Sequence, residues 1–191
     1  GPDDGRKEYL DRIIKEIDRL NELLRTFFSF AKPRRLELNL NRIEDVIKEV
    51  KGLLAKEAER MKVTIKEVYD TDLPPVPLDV NQIQQVFMNL FLNAIDSMPN
   101  GGTLTVAIGR KDSQKGWIEV KIKDTGKGIV AEHLTKIFNP FFTTKSKGLG
   151  LGLTITHKIM EGHGGTIGVE SAPGKGSTFV LSFPVMTDGG A

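Results

Sequence analysis

The sequence predicts an α/β fold, a two-layer sandwich in which helices and a mostly antiparallel sheet share one core. Two long stretches, 43–61 and 80–98, carry apolar residues at helical spacing. Shorter runs at 62–69, 103–110, 117–123, 166–170 and 177–184 alternate apolar and polar residues as strands do. Most of the later runs are separated by hairpin-like joins, which is why the sheet is expected to be mostly antiparallel.

Composition narrows the function classes. The 191 residues are 39% hydrophobic and 27% charged, which suits one globular domain plus an appendage. A domain of about 150 residues buries about two-thirds of its unfolded surface, so neither disulfides nor a structural metal is needed. The absence of cysteine excludes thiolate metal sites and a cysteine nucleophile. A net charge of +2, with lysines interleaved among acids, offers no basic face for nucleic acid. No apolar run approaches the ~20 residues that span a bilayer, and no signal-peptide pattern is present, so the expectation is a soluble chain without membrane contact. The opening Gly1-Pro2 reads as the scar of a protease cut, and the natural protein is expected to extend upstream.

Element by element, residues 8–32 come first. Leu10, Ile13, Ile17, Leu20, Leu24, Phe27 and Ala31 fall at alternating spacings of three and four, a heptad seam. The run precedes any globular pattern, which favours a partner-helix or dimer interface over a surface helix packed on its own domain. Arg12, Lys15 and Arg19 alternate with Asp11, Glu16 and Asp18, which argues against a basic membrane-surface helix. Pro33 ends the run. A strand over 36–40, a helix over 43–61 and a strand over 62–69 follow. "DLPPVPLD" reads as a proline-rich connection to the helix over 80–98, which "PNGG" stops. The strands over 103–110 and 117–123 flank a polar loop around Asp112 and Ser113. A short helix near Glu132, an irregular segment over 138–148 and a helix over 153–161 lead to the last two strands.

Three motifs carry chemistry. In "NLFLNAID", Asn89 and Asn93 share one face of an apolar helix, where unpaired amides would be costly. They are either core asparagines bonded to backbone or oxygen donors for Mg²⁺, a hard cation that also takes phosphate oxygens. In "KIKDTGKGI", Asp124 ends an alternating strand, and Gly126 and Gly128 leave room for close approach. A calcium loop is excluded, because Lys127 and Ile129 stand where further oxygen donors are needed. A plain turn and one wall of a nucleotide pocket both remain open, and a carboxylate in such a pocket would accept from the exocyclic amine of adenine. In "FFTTKSKGLGLGL", glycines 148, 150 and 152 lead into a helix whose N–H groups can meet phosphates, with Thr143, Thr144 and Lys145 at hand. The alternative is a flexible glycine-rich loop. The spacing is not a dinucleotide fingerprint, and "PGKGST" is not a P-loop.

The order of these pieces, followed by "GKGSTF", resembles the N, G1, F, G2 and G3 boxes of sensor histidine kinases, members of the GHKL superfamily of ATP-binding proteins. The resemblance covers residues 36–186, and the heptad helix resembles the second helix of that family's dimerisation and phosphoacceptor hairpin. It implies the GHKL (Bergerat) sandwich, with helices on one face of the sheet behind a long N-terminal helix. The domains would be a partial hairpin over 1–35, a catalytic ATP-binding domain over 36–187 and a disordered tail over 188–191.

Residue by residue, the resemblance makes Asn93 the Mg²⁺ ligand and Asn89 a polar, catalytic neighbour of the phosphates. Asp124 would bind the adenine amine, with Gly126, Gly128 and Ile129 lining the base pocket and Thr178 supporting it. Residues 139–147 would be a short ATP lid bearing Thr143, Thr144 and Lys145, the last for the γ-phosphate. Gly148, Leu149, Gly150, Leu151, Gly152 and Leu153 would close over the triphosphate of ATP, or the diphosphate of ADP. Phe138, Phe141 and Phe142 would anchor the lid in the core.

The implied reaction moves the γ-phosphoryl to a histidine in a motif H-[E/D]-x-x-[N/T]-P, for relay to a response-regulator aspartate. His133, His157 and His163 do not stand in such a motif, so the acceptor is expected on an upstream helix. The implied partners are that helix, a receiver domain and a second copy of the full-length protein, in the cytoplasm. Two other classes compete. A hydrolytic GHKL ATPase would need a glutamate where Asn89 stands, since an amide is no general base. A nucleotide-dependent interaction module would rest on the heptad helix alone.

Overall fold

The computed structural model describes residues 35–111, 116–145 and 148–185, together with Tyr9, Leu10, Ile13, Ile14 and Ile17. Those five are helical and exposed; the rest of the seam predicted over 8–32, the loop at Asp112 and Ser113 and the tail over 188–191 lie outside the described residues. Among the described residues no helix is long and apolar enough to cross a membrane.

In chain order the elements are β1 (Asn39–Asn41), α1 (Ile43–Arg60), β2 (Val63–Tyr69), β3 (Val76–Leu78) and α2 (Val80–Ser97). After them come β4 (Gly102–Arg110), β5 (Trp117–Asp124), α3 (Ala131–Leu134), α4 (Gly152–Gly162), β6 (Thr166–Ser171) and β7 (Ser177–Pro184). Five strands form one sheet in the order β2-β4-β5-β7-β6. Only β2 and β4 run parallel, because the chain between them crosses over through α2. The other neighbours are antiparallel: β4–β5 and β6–β7 through the hairpin-like joins that the sequence predicts, and β5–β7 across the middle of the sheet without one.

The core sits between the sheet and the helices. Strand alternation turns Leu104, Val106 and Ile108 of β4, Ile118, Val120 and Ile122 of β5, and Phe179, Leu181 and Phe183 of β7 to the same buried side. Against them α2 presents Val86, Phe87, Leu90, Phe91 and Ile95, all fully buried, and it packs on both α1 and α4. Each such side chain contributes about 1.5–3 kcal/mol on burial, so α2 is the best-anchored helix and a rigid base for whatever it carries.

The proline-rich connection contains a strand that sequence reading does not find. β3 pairs antiparallel with β1 in a two-stranded sheet, Pro77 opposite Leu40. A two-stranded ribbon has two edges, where the missing N–H of proline goes unneeded. The strand predicted over 36–40 is correspondingly displaced to Asn39–Asn41.

A second unanticipated link spans α2 and α4. Asp79 caps α2, its Oδ1 accepting from Gln82 N at 3.1 Å. Its own N–H donates to His163 Nε2 at 3.0 Å, while His163 Nδ1 donates to the Ile159 carbonyl at 2.7 Å. With one ring nitrogen accepting and the other donating, the buried imidazole is neutral with its proton on Nδ1. Burial holds its pKa below the ordinary imidazole value, against the opposing pull of the Ile159 carbonyl and the Asp79 charge.

Because the folded pKa lies below the unfolded 6.5, the contribution of His163 is complete above that pH and is lost as pH falls through the lowered value. The expected outcome is a urea midpoint that is level above neutrality and declines on acidification. His163→Phe, which leaves the Asp79 N–H unpaired, should cost about 1–3 kcal/mol at pH above 7 and show a smaller acid decline. A midpoint series over both proteins checks it.

Candidate functional site

Between α2, the loop after β5, α3 and the segment leading into α4 lies a cleft of about 1260 Å³. Ile129, Val130, Ile137, Phe142, Leu149, Leu151, Leu153 and Phe179 give it apolar walls, while its polar groups gather at two places.

The first place is Asp124. Alternation along β5 puts it on the same side as Ile118, Val120 and Ile122, so the carboxylate sits in the core-facing row, only 4% exposed. Its Oδ1 accepts from Gly126 N at 2.8 Å and from Ser97 Oγ at 3.1 Å. Oδ2 has no protein donor among the described residues, yet it is not sealed from solvent, and Asp124 lines the cleft. A carboxylate with one oxygen fixed and the other open is an acceptor awaiting a donor.

The glycines after Asp124 serve the fold before they serve a ligand. A side chain at Gly126 would overlap Ser97, and Lys127 N donates to the Ser97 carbonyl at 3.1 Å, so the loop is pressed flat on the end of α2. At Gly176, where φ is +76°, a side chain would overlap the Asp124 carbonyl. The β6–β7 turn therefore backs directly onto the strand end that carries the acid.

The second place is the outer end of α2. Lys145 Nζ lies 2.7 Å from Asn93 Oδ1 and 2.7 Å from Asp96 Oδ2. The donors here are oxygens alone, as a hard cation requires, and no cluster of three His, Cys, Asp or Glu side chains occurs among the described residues. Facing them is the start of α4. Its first turn has no side-chain cap and no acidic residue, which leaves its N–H groups to the cleft.

Of the residues that the sequence assigns to nucleotide or metal, all but three line this cleft: Asn93, Asp124, Gly128, Ile129, Thr143, Thr144, Lys145 and residues 148–153. Asn89 does not; its Nδ2 donates to the Gly152 carbonyl at 3.2 Å and lies 3.4 Å from Thr156 Oγ1, fixing α4 rather than facing the cavity. Gly126 does not, because Ser97 covers it. Thr178 does not, because pleating turns it away, and the inward hydroxyl belongs to Ser177 beside it. Of the predicted lid anchors, Phe138 and Phe142 pack on the core, but Phe141 is 60% exposed with φ +66°. Phe142 also lines the cleft, its ring edge to face with His133 at 5.3 Å.

Sequence reading passed over Ser97, Asp96 and Ser177. The signals were present in part: Ser97 follows Asn93 by one helical turn, and Ser177 shares the phase of Phe179, Leu181 and Phe183. Nothing local marks Asp96.

Residues 78–187 match the family of histidine kinase-, DNA gyrase B- and HSP90-like ATPases. The chain is 37% identical over 185 residues to the sensor histidine kinase ZraS of Escherichia coli (strain K12), covering 96% of this chain and 39% of that protein. It is similar to full-length ShkA in complex with AMPPNP, with TM-score 0.83 and 25% identity over 95% of this chain and 39% of the other. It is likewise similar to the histidine kinase ThkA in complex with the response regulator protein TrrA, with TM-score 0.77 and 30% identity over 94% of this chain and 51% of the other. It therefore spans well under two-thirds of the length of these relatives.

Gly126→Ala forces a methyl group against Ser97 and should cost about 1–3 kcal/mol in a denaturant titration. Gly168→Ala on β6, with nothing within 4 Å of the added carbon, should stay within about 0.5 kcal/mol.

Proposed function

Because this chain belongs to the family of histidine kinase-, DNA gyrase B- and HSP90-like ATPases, we propose that residues 36–187 are the ATP-binding catalytic domain of a sensor histidine kinase. Residues 1–35 then belong to its dimerisation and phosphoacceptor hairpin. The observation that carries the reading is Asp124, whose fixed carboxylate opens one oxygen to an apolar cleft. That arrangement complements the exocyclic amine of adenine, and a guanine carbonyl would set acceptor against acceptor.

With the base at Asp124, the phosphates run toward the uncapped start of α4 and residues 148–153. Asn93 supplies an amide oxygen for Mg²⁺, and the oxygen donors around it fit that ion. Mg²⁺, when bound, neutralises charge on the phosphates during transfer. Lys145 is the side chain available to the γ-phosphate. Asn89 acts as a positioning residue, holding the first turn of α4 against α2. Catalysis on this reading is positioning and charge neutralisation.

The acceptor is a histidine that this sequence does not contain. His163 is buried with both ring nitrogens engaged, His157 pairs with Glu161 at 3.3 Å, and His133 rests against Phe142. Relay to a response-regulator aspartate is in keeping with the likeness to the ThkA complex. In the full-length protein we place the domain in the cytoplasm, in a homodimer joined through the N-terminal helix. A hydrolytic reading is disfavoured by Asn89, whose amide donates to Gly152 and cannot activate water.

Calorimetric titration with Mg²⁺-ATP tests the reading. The parent chain should bind, and Asp124→Asn and Mg²⁺-GTP should each lose on the order of 10²-fold in affinity. Phosphate release should be negligible. Equal affinity for GTP would remove the assignment of Asp124, and sustained release would replace the kinase with a hydrolase.

A further inference from the structure

The Lys145 ammonium is held by two oxygens from successive turns of α2, Asn93 Oδ1 and Asp96 Oδ2, each at 2.7 Å. Its backbone is braced as well, Lys145 N donating to Thr143 Oγ1 at 3.0 Å. One of the two oxygens is the atom that, on the reading above, receives Mg²⁺. An ammonium and a divalent cation within bonding distance of one oxygen repel each other strongly, so the two occupants exclude one another. We propose that Lys145 is an exchangeable cation that fills the metal position of the nucleotide-free cleft, and that Asp96 is the positioning residue that keeps it there.

The consequence is a coupling between metal entry and the segment that carries Lys145. Nucleotide without metal leaves Asn93 Oδ1 undisturbed, so the Lys145 contacts can persist. Nucleotide with metal must take that oxygen, and the ammonium then leaves α2. Its release frees a lysine of the cleft wall for a third phosphate at the moment the metal is in place. A latch of this kind charges metal binding with the strength of the Asp96–Lys145 pair and leaves metal-free binding untouched.

The inference rests on the nucleotide reading, and the experiment separates the two. The affinity of ADP is measured with Mg²⁺ and with chelator, ADP being chosen because it lacks the phosphate to which Lys145 would move. The ratio of the two affinities is the metal increment. It is determined for the parent chain, Asp96→Asn, Lys145→Met and the double variant. Both side chains are well exposed, at 51% and 42%, so the variants retain the fold. Removing either charge alters the increment through the general field, but that effect cancels in the double-mutant cycle.

If the pair is broken by metal entry, Asp96→Asn changes the increment about two- to fivefold more favourably in the presence of Lys145 than in its absence, the range of exposed ion-pair couplings. A cycle ratio of one means that the pair is the same with and without metal, which overturns the exchange and leaves ADP binding standing. Failure of the parent chain to bind ADP overturns the nucleotide reading and this inference with it.

Discussion

Everything at the cleft depends on supplying hydrogen-bond donors to one carboxyl group that is almost out of contact with bulk water. An isolated buried carboxylate would be strongly unfavourable, so its surroundings must donate to it. Asp124 receives the Gly126 amide and the Ser97 hydroxyl, and both donors require the loop after β5 to lie flat against α2. That in turn forbids a side chain at Gly126, and the approach of the β6–β7 turn forbids one at Gly176. The glycines read as ligand-facing gaps are, in the folded chain, mostly gaps filled by the protein itself.

α2 is the common ruler. Asp79 at its start ties it to α4 through His163, Asn89 in its middle holds the first turn of α4, and Ser97 at its end holds Asp124. Between the last two, Asn93 and Asp96 face the cleft. Three ties at known intervals along a rigid helix fix the distance from the buried acid to the start of α4. On the proposed reading a base and its phosphates bridge that distance, so the fold would set ligand length before any ligand arrives.

The legible parts of the sequence were those with a local signal. Helical spacing gave α1 and α2, alternation gave β4, β5, β6 and β7, and the same alternation carries Asp124 into the buried row. β3 was masked by its prolines, whose strand role depends on an edge that only tertiary structure creates. The family resemblance points to Thr178, whereas the phase set by Phe179 and Phe183 turns Ser177 to the cleft. The partners of Asn89 lie more than 60 positions downstream, and Asp79 and His163 are 84 apart, so no window of sequence pairs them. The same holds for Lys145 with Asn93 and Asp96, brought together across about 50 positions by the fold alone.

The strand order β2-β4-β5-β7-β6 carries a consequence for synthesis. β7, the latest of the described strands in chain order, is not at the edge of the sheet but fills the gap between β5 and β6. Until it is made, β5 has one row of backbone groups unpaired and the shared core lacks Phe179, Leu181 and Phe183. A nascent or clipped chain that stops short of Ser177 thus displays an open strand edge beside uncovered phenylalanines, the combination that recruits other chains. Translation therefore completes this sheet late and all at once, and a shortened version would be an aggregation hazard rather than a less stable domain.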